Sequence, residues 1–141
     1  MKVKIVLPLL ILVAALPWAA VLADDLSGAS RILCSAAQAT ICTQDGECVS
    51  GPSWNWNIPQ FIEVDLGEKH LSTTKASGEN RSTPIKNVER ADGLIFLQGV
   101  ESGRAFSFVI DEVTGMLSAA VAREALTVSA FGSCTPKEVG Q

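Results

Sequence analysis

Gly103-Arg104-Ala105-Phe106-Ser107-Phe108-Val109-Ile110-Asp111-Glu112-Val113-Thr114-Gly115 is the stretch on which the fold turns. Phe106, Phe108 and Ile110 fall two residues apart, a spacing that lines one face of an extended strand. Glu112-Val113-Thr114-Gly115 then reads as a glycine-closed turn. Beyond it, Met116 to Ala122 places Leu117, Ala119 and Val121 on one side and Ser118 on the other. Strand, tight turn and strand in so few residues predict an antiparallel hairpin.

The same grammar extends in both directions. Upstream, Ile85 to Arg90, a turn at Ala91-Asp92-Gly93 and Leu94 to Gln98 form one hairpin, and Val100-Glu101-Ser102-Gly103 turns the chain into Arg104 to Asp111. Downstream, Arg123-Glu124-Ala125 turns into Leu126 to Phe131, with Cys134 ending the ladder. Nearer the start, Ile62, Val64 and Leu66 alternate with Glu63 and Asp65 from Phe61 onward, and Gly67-Glu68 leads to a return strand over Lys69 to Thr74. Lys75 to Pro84 is polar and is expected to be the longest loop. Asp24 to Ala39 is rich in small residues and is compatible with a short helix or an irregular lead-in strand. Seven short, regularly spaced strands predict an all-β antiparallel meander. A closed or nearly closed barrel suits them, since closure removes exposed edges, with a two-sheet sandwich as the alternative. Small residues at Ser118, Ala119, Ala120 and Ala122 suit a tightly curved strand.

The first residues have a different character. Met1-Lys2-Val3-Lys4 is basic, Ile5 to Leu22 is apolar, and Val21-Leu22-Ala23 precedes the acidic pair Asp24-Asp25. That order is the order of a secretory signal peptide over residues 1–23. Pro8 and Pro17 argue against an uncleaved membrane anchor, and the positive-inside rule keeps Lys2 and Lys4 in the cytoplasm. The expected address is periplasmic or secreted, without stable membrane insertion once the leader is removed. The expected organisation is one domain over 24–141, with a Cys-containing segment carrying a hairpin and a Trp loop over 24–60 and the meander over 61–136.

Loss of Lys2 and Lys4 leaves nine basic residues of the eleven, against fifteen acidic, a balance of −6. An acidic domain without a basic cluster is poorly suited to nucleic acid, where phosphate neutralisation supplies most of the affinity. All four cysteines lie beyond the leader, and an even count in an oxidising compartment reads as two disulfides. Cys42-Thr43-Gln44-Asp45-Gly46-Glu47-Cys48 has the form of a hairpin with a three-residue loop and Gly46 in the left-handed position. That register sets Cys42 across from Cys48 and leaves Cys34 to pair with Cys134. No metal site is expected, because the cysteine gaps are too wide for zinc and His70 is the sole histidine. No cofactor motif is present.

Arg81-Ser82-Thr83-Pro84-Ile85, Leu97-Gln98-Gly99, Gly103 to Phe108, Thr114-Gly115 and Phe131-Gly132-Ser133-Cys134-Thr135-Pro136, together with the Cys hairpin, carry a resemblance over nearly all of the chain after the leader. They resemble a group of small exported Cys-containing proteins of Gram-negative bacteria to which no activity is attached. The resemblance implies an exported address and a β-rich fold. More loosely, the meander is similar to calycin-like barrels, which include lipocalins and bacterial inhibitors of secreted metalloproteases. That likeness implies architecture alone.

Candidate chemistry is sparse. Any Ser-His arrangement must use His70, whose place beside Lys69 predicts a solvent-facing side chain. Glu63 and Asp65 share a strand face, a geometry a hydrolase could use, although a wet strand face has the same pattern. Trp54 and Trp56 flank Asn55 in a Pro- and Asn-rich loop, where indoles either meet a ligand or fold back to plug a barrel end. Arg81, Arg104 and Lys86 could face an anion, although single cations are usually solvated. Asn80-Arg81-Ser82 matches a glycosylation sequon, which is without meaning in a bacterial protein. The expectation is an exported, non-enzymatic module that binds an unknown protein or small ligand through the Trp54 and Trp56 loop. The alternatives are a small-ligand-binding or protease-inhibitor-like barrel, and a hydrolase using surface carboxylates.

Overall fold

The computed structural model describes residues 25–137. The leader expected over 1–23 lies outside them. Ten strands form one antiparallel sheet: β1 (Arg31–Thr43), β2 (Cys48–Pro52), β3 (Phe61–Asp65), β4 (His70–Thr73), β5 (Ser82–Pro84), β6 (Asn87–Ala91), β7 (Leu94–Glu101), β8 (Arg104–Asp111), β9 (Met116–Arg123) and β10 (Leu126–Pro136). Their order is β5-β4-β3-β1-β10-β9-β8-β7-β6, with β2 paired to the far part of β1. The two ends of that order are consecutive in the chain, separated only by Ile85 and Lys86. Ile85 N–H donates to Lys69 O at 2.8 Å, and Lys86 N–H donates to Gln98 O at 2.8 Å. A single stretch of chain therefore changes partners from β4 to β7, and the sheet curls into a nearly closed barrel. The meander is confirmed, and the sandwich is not found.

Three elements differ from the sequence expectation. Of the two readings left open for the stretch ending at Ala39, the strand is found and not the helix, and what differs is its extent: from Arg31 it is the longest strand of the sheet, between β3 and β10. Alternation here is masked by small residues and by a bulge between Ala36 and Gln38. The expected Lys75 to Pro84 loop ends in a strand, since Ser82–Pro84 pairs with His70 to Ser72. Cys134 lies inside β10, opposite Cys34, and the strand continues to Pro136. Among the described residues, Phe61 to Pro136 thus holds eight strands where seven were expected, the addition being β5, and β1 and β2 of the separately expected Cys42 hairpin bring the sheet to ten.

Both expected disulfides are present, Cys34–Cys134 across β1 and β10 and Cys42–Cys48 across β1 and β2. Cys34 and Cys134 are buried. The Cys42 hairpin has the expected three-residue loop, closed by Thr43 N–H donating to Glu47 O at 2.9 Å. Gly46 has φ +83°.

The core fills one end of the barrel. Ile32, Val64, Ile95, Leu97 and Ile110 are almost fully buried there, with Cys34, Cys134 and Ile85. Leu26, before the first strand, is fully buried and caps this end. Its N–H donates to Glu112 O at 2.7 Å, and Arg90 ties Ala29 O (2.6 Å) to the Glu112 carboxylate (2.5 Å). Burying one leucine side chain contributes about 1.5–3 kcal/mol.

Candidate functional site

The opposite end is not filled. The same strands present smaller inward residues there: Ala36 on β1, Ala119 on β9 and Ala130 on β10, where the sealed end has isoleucine and leucine. At Gly99 on β7 a Cβ would overlap the Phe106 ring, so glycine lets that ring lie across the neighbouring strand. The result is a cup of about 760 Å³, open to solvent at its mouth. Its floor is Leu71, Phe108 and Leu117, which also belong to the packed core. Val121 and Val128, cross-strand partners on β9 and β10, line its upper wall. A volume of this size lies within the range of small-molecule sites, roughly 300–1,000 Å³.

The wall is uneven. β7, β8 and β9 are 8 residues each, whereas β3, β4 and β5 are 5, 4 and 3. The bulge in β1 is the cause. Before it β1 pairs with β3, and after it with β2, so β3 leaves the ladder. Gly132, opposite Ala36, permits the bulge, since a Cβ there would overlap the Ser35 carbonyl. The gap is covered by the loop after β2, which contains the 3-10 turn Ser53–Trp56. Ser53 is fully buried, and its hydroxyl donates to Ala36 O at 2.6 Å, fastening the loop to the bulge.

This anchoring splits the two tryptophans. Trp56 lines the cup with Asn57, Ile58 and Pro59, and its indole lies against Gly51. Trp54 is 58% exposed and does not line the cup. Of the two indoles expected in this loop, Trp56 is folded back on the barrel and Trp54 is turned to solvent.

Four charged side chains line the mouth: Arg81, Glu101, Arg104 and Arg123. Arg81 pairs with Glu79 at 3.2 Å and donates to Asn57 O at 3.2 Å. Arg104 meets Glu101 across the β7–β8 turn at 3.3 Å. Arg123 makes no ion pair or side-chain hydrogen bond among the described residues, and it sits directly opposite Arg104 in the β8–β9 register. Arg81 and Arg104 were legible as possible anion contacts in the sequence. Arg123 was read as the start of a turn, although extending the alternation of Ala119 and Val121 by one step places it on the inner face. Lys86 does not line the cup.

The other candidate residues lie together on the outside of β3, β4 and β5. Glu63 is paired with Lys137 at 2.6 Å and Asp65 with Arg31 at 2.9 Å. The Glu68 backbone N–H holds the Asp65 carboxyl below its ordinary pKa, opposed by partial desolvation and helped by Arg31. His70 Nε2 is hydrogen-bonded to the Ser82 hydroxyl. Asp65 stands opposite His70 in the register, yet its oxygens are occupied by Glu68 N–H and Arg31 and not by the imidazole. The serine, histidine and aspartate are thus neighbours without the hydrogen-bonded relay that a nucleophilic triad needs. Among the described residues no group of three His, Cys, Asp or Glu is placed to hold a metal, and no helix is long and apolar enough to cross a membrane.

The chain matches no protein-family model, and no curated protein is significantly similar to it.

Proposed function

We propose that this protein is an exported, non-enzymatic carrier or sensor that takes a small, largely apolar ligand into the open end of its barrel. The single observation that carries the reading is the cup of about 760 Å³ with an apolar floor and Trp56 at its lip. Wide concave sites lined by apolar side chains with a few polar groups at the rim are the usual form of a small-ligand site. Export is supported by the leader-like order of residues 1–23 and by four cysteines that are all in disulfides. The non-enzymatic part is supported by Glu63 and Asp65, each held by a cation on the outer wall, away from the cup.

The test uses N-phenyl-1-naphthylamine, a neutral apolar dye whose emission rises on leaving water. It should bind wild-type protein saturably at one site per chain. In Val121→Phe/Val128→Phe, two rings fill the upper cup, and binding should fall by at least about tenfold while far-ultraviolet circular dichroism is unchanged. Equal binding by the filled variant would remove the cup as the site.

A further inference from the structure

We infer that the ligand of the cup is a single-chain amphipathic carboxylate, its head held by Arg104 and Arg123 and its tail laid along Phe106 towards the Leu71, Phe108 and Leu117 floor. This rests on the proposal that the cup binds a ligand, and it adds the chemistry of that ligand.

Two arginines are directly opposite each other on neighbouring strands, and both side chains line the cup. Like charges in that position repel and destabilise a sheet pair. In a protein of net charge −4, with fifteen acidic residues available, only Glu101 lines the mouth beside them. It meets Arg104 from across the turn and leaves Arg123 without an acidic partner among the described residues. The arrangement is unfavourable when the cup is empty and becomes favourable when an anion lies between the guanidinium groups. Arginine is suited to this task, because its planar fork donates two parallel hydrogen bonds to a carboxylate.

The charge of the head follows from the same count. Arg104 and Arg123 against Glu101 leave a local excess of one positive charge. A monoanion neutralises that excess, whereas a phosphate dianion would meet uncompensated repulsion from Glu101. Below the arginines the wall turns apolar at once, with Phe106 next inward from Arg104 on β8 and Val121 next inward from Arg123 on β9. A ligand that satisfies both zones has a charged head and an apolar chain. Arg81, across the mouth, is already engaged by Glu79 and Asn57 and is not assigned to the head.

The experiment is displacement of N-phenyl-1-naphthylamine by three ligands of equal chain length: dodecanoate, dodecanol and dodecyl phosphate. For wild-type protein dodecanoate should displace the dye at a concentration at least about tenfold below that of dodecanol, the scale of a charge-assisted hydrogen-bond pair. It should also act below dodecyl phosphate. Arg104→Gln/Arg123→Gln should bring dodecanoate and dodecanol together, each displacement being referred to the dye affinity measured for that variant, and saturable one-to-one dye binding by the variant reports an intact cup. Equal displacement by dodecanoate and dodecanol on wild-type protein would overturn the inference, as would a gap that survives the double substitution. Preference for dodecyl phosphate would overturn the assignment of a carboxylate head. Failure of the dye itself to bind wild-type protein would count against the cup, and so against the proposed function on which this inference rests.

Discussion

The two ends of this barrel are made by the same strands and obey the same alternation, yet side chains pack one and leave a cavity in the other. At the sealed end β1, β7 and β8 turn Ile32, Ile95, Leu97 and Ile110 inward, and Leu26 closes the opening from outside the sheet. At the open end the inward positions of β1, β9 and β10 include Ala36, Ala119 and Ala130, and no apolar residue among those described fills the opening as Leu26 does. Alternation decides which side of the sheet a residue faces. Side-chain volume and the presence of a plug decide whether the inside is filled. The sealed end holds the most deeply buried apolar side chains, and the open end leaves a cavity.

That contrast can be broken first at the sealed end. Cys34→Ser/Cys134→Ser opens a link with a sequence separation of 100, and the chain-entropy account gives a loss of about 4.7 kcal/mol. Cys42→Ser/Cys48→Ser, with a separation of 6, should lose only about 2 kcal/mol. Equilibrium urea unfolding of the two variants would check the order, and equal losses would contradict it.

Leu26→Ala should cost about 2–5 kcal/mol in the same measurement, the range for a fully buried leucine. Its dye binding at the open end should be unchanged under conditions where the protein remains folded. If Leu26→Ala altered dye affinity as strongly as it altered stability, the two ends would not be separable.

How much of this was legible in the sequence differs between the two ends for the same physical reason. The strands over Phe61 to Thr74 and Leu94 to Phe131 announce themselves, because branched and aromatic residues alternate with polar ones and glycine-bearing turns punctuate them. The Cys42 hairpin is equally readable, since loop length and Gly46 set its register. β1 was obscured because Ser35, Ala36, Ala37 and Ala39 give no contrast between faces, and the bulge reverses the alternation midway. β5 was hidden by its polar composition, since its pairing with β4 is a backbone matter. The cup itself was out of reach, because a cavity is what small residues leave behind and no single residue encodes it. The tryptophans marked the loop beside the cup without revealing that Trp56 lines it and Trp54 does not.

Substitution of those two residues should separate them by a smaller effect than the core changes. Trp56→Ala should weaken dye binding several-fold, on the scale of one lost aromatic contact of about 0.5–1.5 kcal/mol, while Trp54→Ala should leave it within the error of a fluorescence titration. Equal effects would show that the loop acts through its conformation and not through the Trp56 ring.

The smallest expected effect is on acid stability. The Asp65 carboxyl has a pKa below its ordinary value in the folded protein, so its contribution is complete above the carboxylate range of the unfolded chain. It is lost as pH falls through the lower folded value. Stability should therefore be level from about pH 6 to pH 5 with respect to this group, and decline below about pH 4. Asp65→Asn should remove that part of the slope, by less than about 1 kcal/mol because the Arg31 pair is partly exposed. A variant whose acid limb coincides with wild type would contradict this assignment.

The most direct test of the open end is energy transfer from Trp56 to bound N-phenyl-1-naphthylamine in a Trp54→Phe background, in a chain shortened by residues 1–23 and so lacking Trp18. Trp56 is then the sole donor. A ligand seated in the cup predicts saturable, one-to-one quenching of Trp56 with matching dye emission, abolished by Val121→Phe/Val128→Phe. Absence of transfer, or transfer that persists undiminished in the filled variant, would contradict a barrel with one sealed end and one ligand-binding end.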